Sequence, residues 1–168
     1  MKKVLIFAAE GFEDNELLYP YYRLQEAGCD VKVVGLGESE CRGKHGVPVK
    51  CDGKIEDFNA DDFDVVIIPG GWAPDKLRRS KAALDFVRRM DAEKKLIASI
   101  CHGPHVLVSA DILKGRKLTC VSAIKDDVVN AGGIYSDEPV VIDGNLITSR
   151  TPADLPAFCL EIVKRLGE

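Results

Sequence analysis

Short unbroken apolar runs alternate with helix-patterned stretches along the whole chain, and few architectures accommodate that rhythm. Residues 4–8, 31–34, 64–68 and 96–100 read VLIFA, VKVV, DVVII and LIASI. Such runs suit strands covered on both faces. Between them, residues 13–27 place apolar side chains at near-helical spacing and stop at Gly28, while Pro20 is expected to kink or restart that helix. Ser80 caps a predicted helix over 81–94, and Gly103-Pro104 opens another. Residues 41–57 read as a small hairpin excursion, and 118–121 as a short strand before a helix over 123–131. Two short strands (140–142 and 146–148) flank the turn signal Asp143-Gly144, and Thr151-Pro152 starts a last helix. Strand and helix in alternation specify an α/β fold with a mostly parallel central sheet between helical layers, here as one domain over 1–168.

Composition narrows the function classes. Of 168 residues, 46% are apolar and 30% charged, as in a soluble globule, and no apolar run reaches membrane-spanning length. The start Met1-Lys2-Lys3 precedes an apolar stretch too short for a signal peptide, so a cytoplasmic protein is expected. A net charge of −4 argues against nucleic acid as partner, and the cluster Lys76, Arg78, Arg79 reads as solvated surface. Six cysteines without export signal or C-x-x-C spacing are expected to be reduced thiols.

In open α/β sheets ligands bind beyond the carboxyl ends of the parallel strands. Glu10, Glu13 and Asp14 follow the first strand, Gly70-Gly71 and Asp75 the third, Cys101-His102-Gly103 the fourth, and Arg150-Thr151 the late hairpin. Acid, glycine amides, thiol and imidazole thus gather on one edge. Cys101 ends a buried strand and meets Gly103-Pro104 almost at once, which forces a sharp turn like a nucleophile elbow. At a helix N-terminus the thiolate, the reactive form, is expected. His102 reads as a base or as an orienting partner, and His105 as packing or capping. Glu13 suits either a first-turn carboxylate or a catalytic acid, and Gly70-Gly71 either an oxyanion-binding loop or a plain turn. No dinucleotide fingerprint, phosphate loop or common metal-ligand spacing occurs, so neither metal nor cofactor is expected.

The segments Glu10-Gly11-Phe12-Glu13-Asp14 with Glu16-Leu17, Pro69-Gly70-Gly71, Ala98 to Pro104 and Ser149 to Leu155 resemble the DJ-1/PfpI superfamily, and more narrowly its PfpI-type intracellular proteases. The resemblance implies a flavodoxin-like three-layer sandwich, related to class I glutamine amidotransferase domains. It implies Cys101 as nucleophile, His102 as its partner and Glu13 as the carboxyl bonded to the thiol. Gly70 and Gly71 match the oxyanion loop, and Asp75 the acid supplied by a neighbouring subunit. Asp is one methylene shorter than the Glu usual there. Val121 stands where relatives often carry a tyrosine, and Trp72 would line or narrow the entrance, with Arg150 also at the substrate site. A homo-oligomer (dimer, trimer or hexamer) is implied.

The expected chemistry is thiol-dependent attack on a carbonyl. With peptides it would be peptidase activity; with methylglyoxal it would be glutathione-independent glyoxalase III activity, and with its adducts deglycase activity, in a role of stress protection. The competing expectation is a redox-responsive stress protein or chaperone with an oxidisable Cys101. A binding domain with a vestigial site is the third.

Overall fold

The computed structural model describes Met1–Gly167. The chain runs β1 (Lys3–Phe7), α1 (Asp14–Glu26), β2 (Asp30–Gly35), β3 (Glu40–Arg42), β4 (Pro48–Lys50), β5 (Gly53–Lys54) and β6 (Val65–Ile68). It continues through α2 (Ala73–Leu77), α3 (Lys81–Ala92), β7 (Leu96–Ile100), α4 (Pro104–Ala110), β8 (Lys117–Leu118) and α5 (Lys125–Asn130). The last elements are β9 (Ile134–Tyr135), β10 (Val140–Asp143), β11 (Leu146–Ser149) and α6 (Leu155–Gly167).

Seven strands form one sheet in the order β10-β11-β7-β6-β1-β2-β5. All neighbours are parallel except the β10–β11 hairpin. Helices α1 and α6 pack together on one face, and α2, α3 and α4 on the other. Sandwiched so, the residues of β6 and β7 are buried without exception. Each fully buried branched side chain there contributes about 1.5–3 kcal/mol to stability. From β1 the chain first builds toward β2, then crosses back to β6 and β7. The winding reverses between β1 and β6, where α/β sheets open a crevice.

Three local expectations change. Helix α1 runs unbroken through Pro20, which is buried on the same side as Leu17 and Leu24, so packing holds a helix that lacks one backbone donor. The strand expected over 118–121 pairs only at Lys117–Leu118, with β9. The Thr119 N–H instead donates to Thr148 Oγ1 at 2.9 Å. The helix over 123–131 is split into a tight turn, Ser122–Ile124, and α5. The excursion over 41–57 is the antiparallel hairpin β3–β4, followed by β5 on the edge of the main sheet. No helix among the described residues is long and apolar enough to cross a membrane.

Candidate active site

The strands that carry the expected chemistry, β1, β6, β7 and β11, are consecutive in the sheet, so their carboxyl ends share one edge. Cys101, directly after β7, has φ +63°, a left-handed conformation that side chains other than glycine adopt at a cost of about 1–2 kcal/mol. The surrounding backbone holds it there. Cys101 N–H donates to the Ser149 carbonyl at 3.1 Å, Val121 N–H donates to the Cys101 carbonyl at 3.1 Å, and Gly103 N–H donates to the Ile100 carbonyl at 2.9 Å. The turn is the sharp elbow expected from the sequence.

The carboxyl against the thiol is Glu16, not Glu13. The Glu13 side chain caps α1: its Oε2 accepts from Asn15 N–H at 3.0 Å and Glu16 N–H at 3.2 Å, while Oε1 lies 3.5 Å from His45 Nε2. Asp14 accepts from His45 and Val47 N–H, both at 3.0 Å, and Glu10 accepts from Arg42 N–H. These three acids of the first loop are committed to backbone groups. Glu16, one turn further on, is fully buried. Its Oε1 accepts from Gly70 N–H at 2.8 Å. Its Oε2 has no hydrogen-bond partner among the described residues, and the carboxyl and Cys101 flank Gly70 together, where a Cβ would stand 2.7 Å from Glu16 Oε1 and 3.0 Å from Cys101 Cβ. Burial raises the Glu16 pKa to about 8, opposed by the Gly70 bond and reinforced by the charge of Glu13. A carboxyl on the buried stripe of a helix, beside Leu17, was the sequence signal for it.

Burial also pushes Cys101 up to about 12, with Glu16 adding to the effect and the His102 N–H opposing it. The expectation of a resting thiolate is therefore corrected: α4 is short, and desolvation outweighs its dipole. Ionisation needs an acceptor. His102 Nδ1 lies 3.5 Å from Cys101 Sγ. Burial first, then the charges of His105 and Lys44, lowers the His102 pKa, while Asp75 opposes them. His102 is thus a neutral imidazole near pH 7. Asp75 lies exposed on α2 of the same chain and makes no ion pair with His102 within 4 Å among the described residues. His105 sits beside His102, ring centroids 6.2 Å apart, and meets Asp127 at 3.4 Å.

Of the two glycines, Gly70 cannot offer its N–H to an oxyanion, because Glu16 already holds it. Gly71 has φ +73°, and a Cβ there would stand 2.4 Å from Glu13 N and 2.6 Å from the Gly11 carbonyl. Only glycine lets the β6–α2 loop lie this close to the β1–α1 loop. Among the described residues the Gly71 N–H has no acceptor. Trp72 donates its N–H to the Gly11 carbonyl at 2.8 Å, packs its ring on Gly11 and remains 64% exposed.

Arg150, expected at the substrate site, is engaged by two carboxylates. Its guanidinium is bound by both oxygens of Asp154, at 2.9 and 3.0 Å, and by Asp137 at 3.1 Å. Arg150 N–H donates to Asp154 Oδ2 as well. The side chain braces the turn that follows β11, whose last residue holds Cys101.

The sequence matches the DJ-1/PfpI family over residues 2–165. A deglycase of Pyrococcus horikoshii is 47% identical over 164 residues, covering 98% of this chain and 99% of its own. Among solved structures, a two-domain protein of Anabaena variabilis with DJ-1/ThiJ/PfpI-like and ferritin-like domains superposes with TM-score 0.98 at 44% identity. It covers 99% of this chain, which spans 48% of that longer one. Drosophila melanogaster DJ-1beta superposes with TM-score 0.93 at 34% identity, over 98% of this chain and 90% of its own.

Proposed function

Because the chain belongs to the DJ-1/PfpI family, we propose that it is a cysteine-dependent enzyme acting on small carbonyl compounds and on their adducts with amines and thiols. The observation that carries this reading is the Cys101 elbow, at φ +63°, with a neutral imidazole 3.5 Å from its sulfur and the buried Glu16 beside it. Deglycase naming of relatives along nearly their full length supports it.

On this reading, His102 Nδ1 takes the thiol proton as the Cys101 sulfur bonds to the carbonyl carbon. The developing oxyanion accepts from Gly71 N–H, the glycine amide that no group among the described residues occupies. Glu16, protonated below pH about 8, stands near the sulfur as a neutral acid and keeps a second negative charge out of the pocket. With methylglyoxal the adduct is a hemithioacetal. Proton transfer between its two carbons gives a thioester, which water cleaves to lactate and free thiol, with no external oxidant.

The test compares wild type with Cys101→Ala on methylglyoxal, on its adduct with N-acetylcysteine, and on a fluorogenic peptide. Lactate formation and adduct reversal that vanish in the variant support the proposal. Equal turnover by both proteins, or peptide cleavage without aldehyde turnover, overturns it.

A further inference from the structure

A second thiol site lies outside the centre described above. Cys41 on β3 and Cys51 just past β4 place their sulfurs 3.6 Å apart. Register brings them together: Cys41 pairs with Val49, and Cys51 N–H donates to the Ser39 carbonyl at 2.9 Å, so the two cysteines are diagonal neighbours on one face of the hairpin. Cys41 is fully buried, and Cys51 is 7% exposed. Space beside the pair comes from Gly35, where even a Cβ would come within 3.1 Å of the Cys51 sulfur.

We propose that Cys41 and Cys51 form a reversible dithiol–disulfide site, oxidised by hydroperoxides independently of Cys101. The sulfurs are already in contact and need to close only to about 2.05 Å. The hairpin consists of three residue pairs, short enough to open locally and admit a small oxidant. Cys51 reacts first. It is the more exposed of the two, and either sulfur of the contact can be the donor. The contact lowers the Cys51 pKa, against burial and the charges of Glu38 and Asp52, while the same contact and then burial raise Cys41.

The chemistry balances with one hydroperoxide. The Cys51 sulfur attacks the peroxide, an S–O bond forms, the O–O bond breaks, and the departing oxygen leaves as water or alcohol after taking up a proton. The Cys41 sulfur then gives up its proton and attacks the Cys51 sulfenic acid, expelling water as the S–S bond forms. Two thiols lose two electrons in all, and a dithiol reductant reverses the change. The hairpin is fastened to the catalytic edge: Gly11 N–H donates to the Arg42 carbonyl and Lys44 N–H to the Phe12 carbonyl, both at 2.8 Å. Closing the ring stiffens the segment that carries Lys44, whose charge is felt at Glu16, Cys101 and His102.

The experiment uses full-length Cys101→Ser protein, so that oxidation of the catalytic thiol cannot contribute. Native protein is treated with hydrogen peroxide, denatured, alkylated, digested and analysed by mass spectrometry. The expected product is a peptide pair joined between Cys41 and Cys51, lighter than the reduced pair by about 2 Da, which dithiothreitol restores to two alkylated peptides. In Cys101→Ser/Cys41→Ala the expected product is a dimedone-trapped sulfenic acid at Cys51. Full alkylation of both positions after peroxide, or disulfides joining other cysteines instead, overturns the proposal.

Discussion

Glu16 on the first helix and Gly70 beyond the sixth strand are joined by a buried 2.8 Å hydrogen bond across 54 residues of sequence. The bond closes the gap at the point where the sheet reverses its winding, and places a protonatable carboxyl against Cys101. It also removes the Gly70 amide from any part in binding substrate oxygen.

That carboxyl ties stability to pH. An ordinary Glu has a pKa of 4.5, and the folded protein raises it to about 8. Between these values the folded state holds a proton that the unfolded state has lost, so stability falls as pH rises from 4.5 toward 8, then levels off. The slope is at most about 1.4 kcal/mol per pH unit. Urea midpoints across this range should fall in wild type and fall less in Glu16→Gln, which keeps an oxygen for Gly70. Parallel curves for the two proteins refute the assignment.

Catalysis should follow a bell-shaped pH profile. The acid limb of kcat/KM belongs to His102, whose pKa lies below 6.5, and the alkaline limb near 8 belongs to Glu16. Glu16→Gln should lose the alkaline limb and keep the acid one. Methylglyoxal turnover against pH reads both, and an unchanged alkaline limb in the variant contradicts the role given to Glu16.

Gly71→Ala should be severe. The new Cβ meets backbone atoms of Glu13 and Gly11 at 2.4 and 2.6 Å, and the residue must stay at φ +73°. Loss of about 3 kcal/mol in chemical denaturation is expected, with turnover nearly abolished in protein that still folds. A variant within about 0.5 kcal/mol of wild type would mean the loops tolerate separation.

Arg150→Lys separates bracing from substrate contact. Lysine cannot reproduce the two-pronged bond to Asp154, which is buried and would lose part of its satisfaction. A loss of about 1–2 kcal/mol is expected with KM for methylglyoxal unchanged. A large rise in KM without loss of stability would return Arg150 to the substrate site.

The main sheet was legible because β1, β6 and β7 are covered on both faces and so read as unbroken apolar runs. Cys101 was legible because a buried strand, a cysteine and Gly103-Pro104 leave room only for a sharp turn. Glu16 was harder to assign. Four candidate acids crowd the start of α1, and only the helix phase and the packing of Gly70 decide which one reaches the sulfur. The resting state of the thiol is not legible in the sequence for a related reason, since dipole and motif are local while desolvation is tertiary. The pairing of Cys41 with Cys51 depends on hairpin register across an irregular stretch, which their ten-residue separation does not reveal.

Trp72 is the single tryptophan of the chain, 64% exposed and resting on Gly11 in the loop that pairs with the β6–α2 turn. The rim of the candidate site therefore carries its own fluorophore. A compound that settles over the indole changes the surroundings of an exposed fluorophore, and occupancy can be titrated from its emission on unlabelled protein before a single turnover is measured.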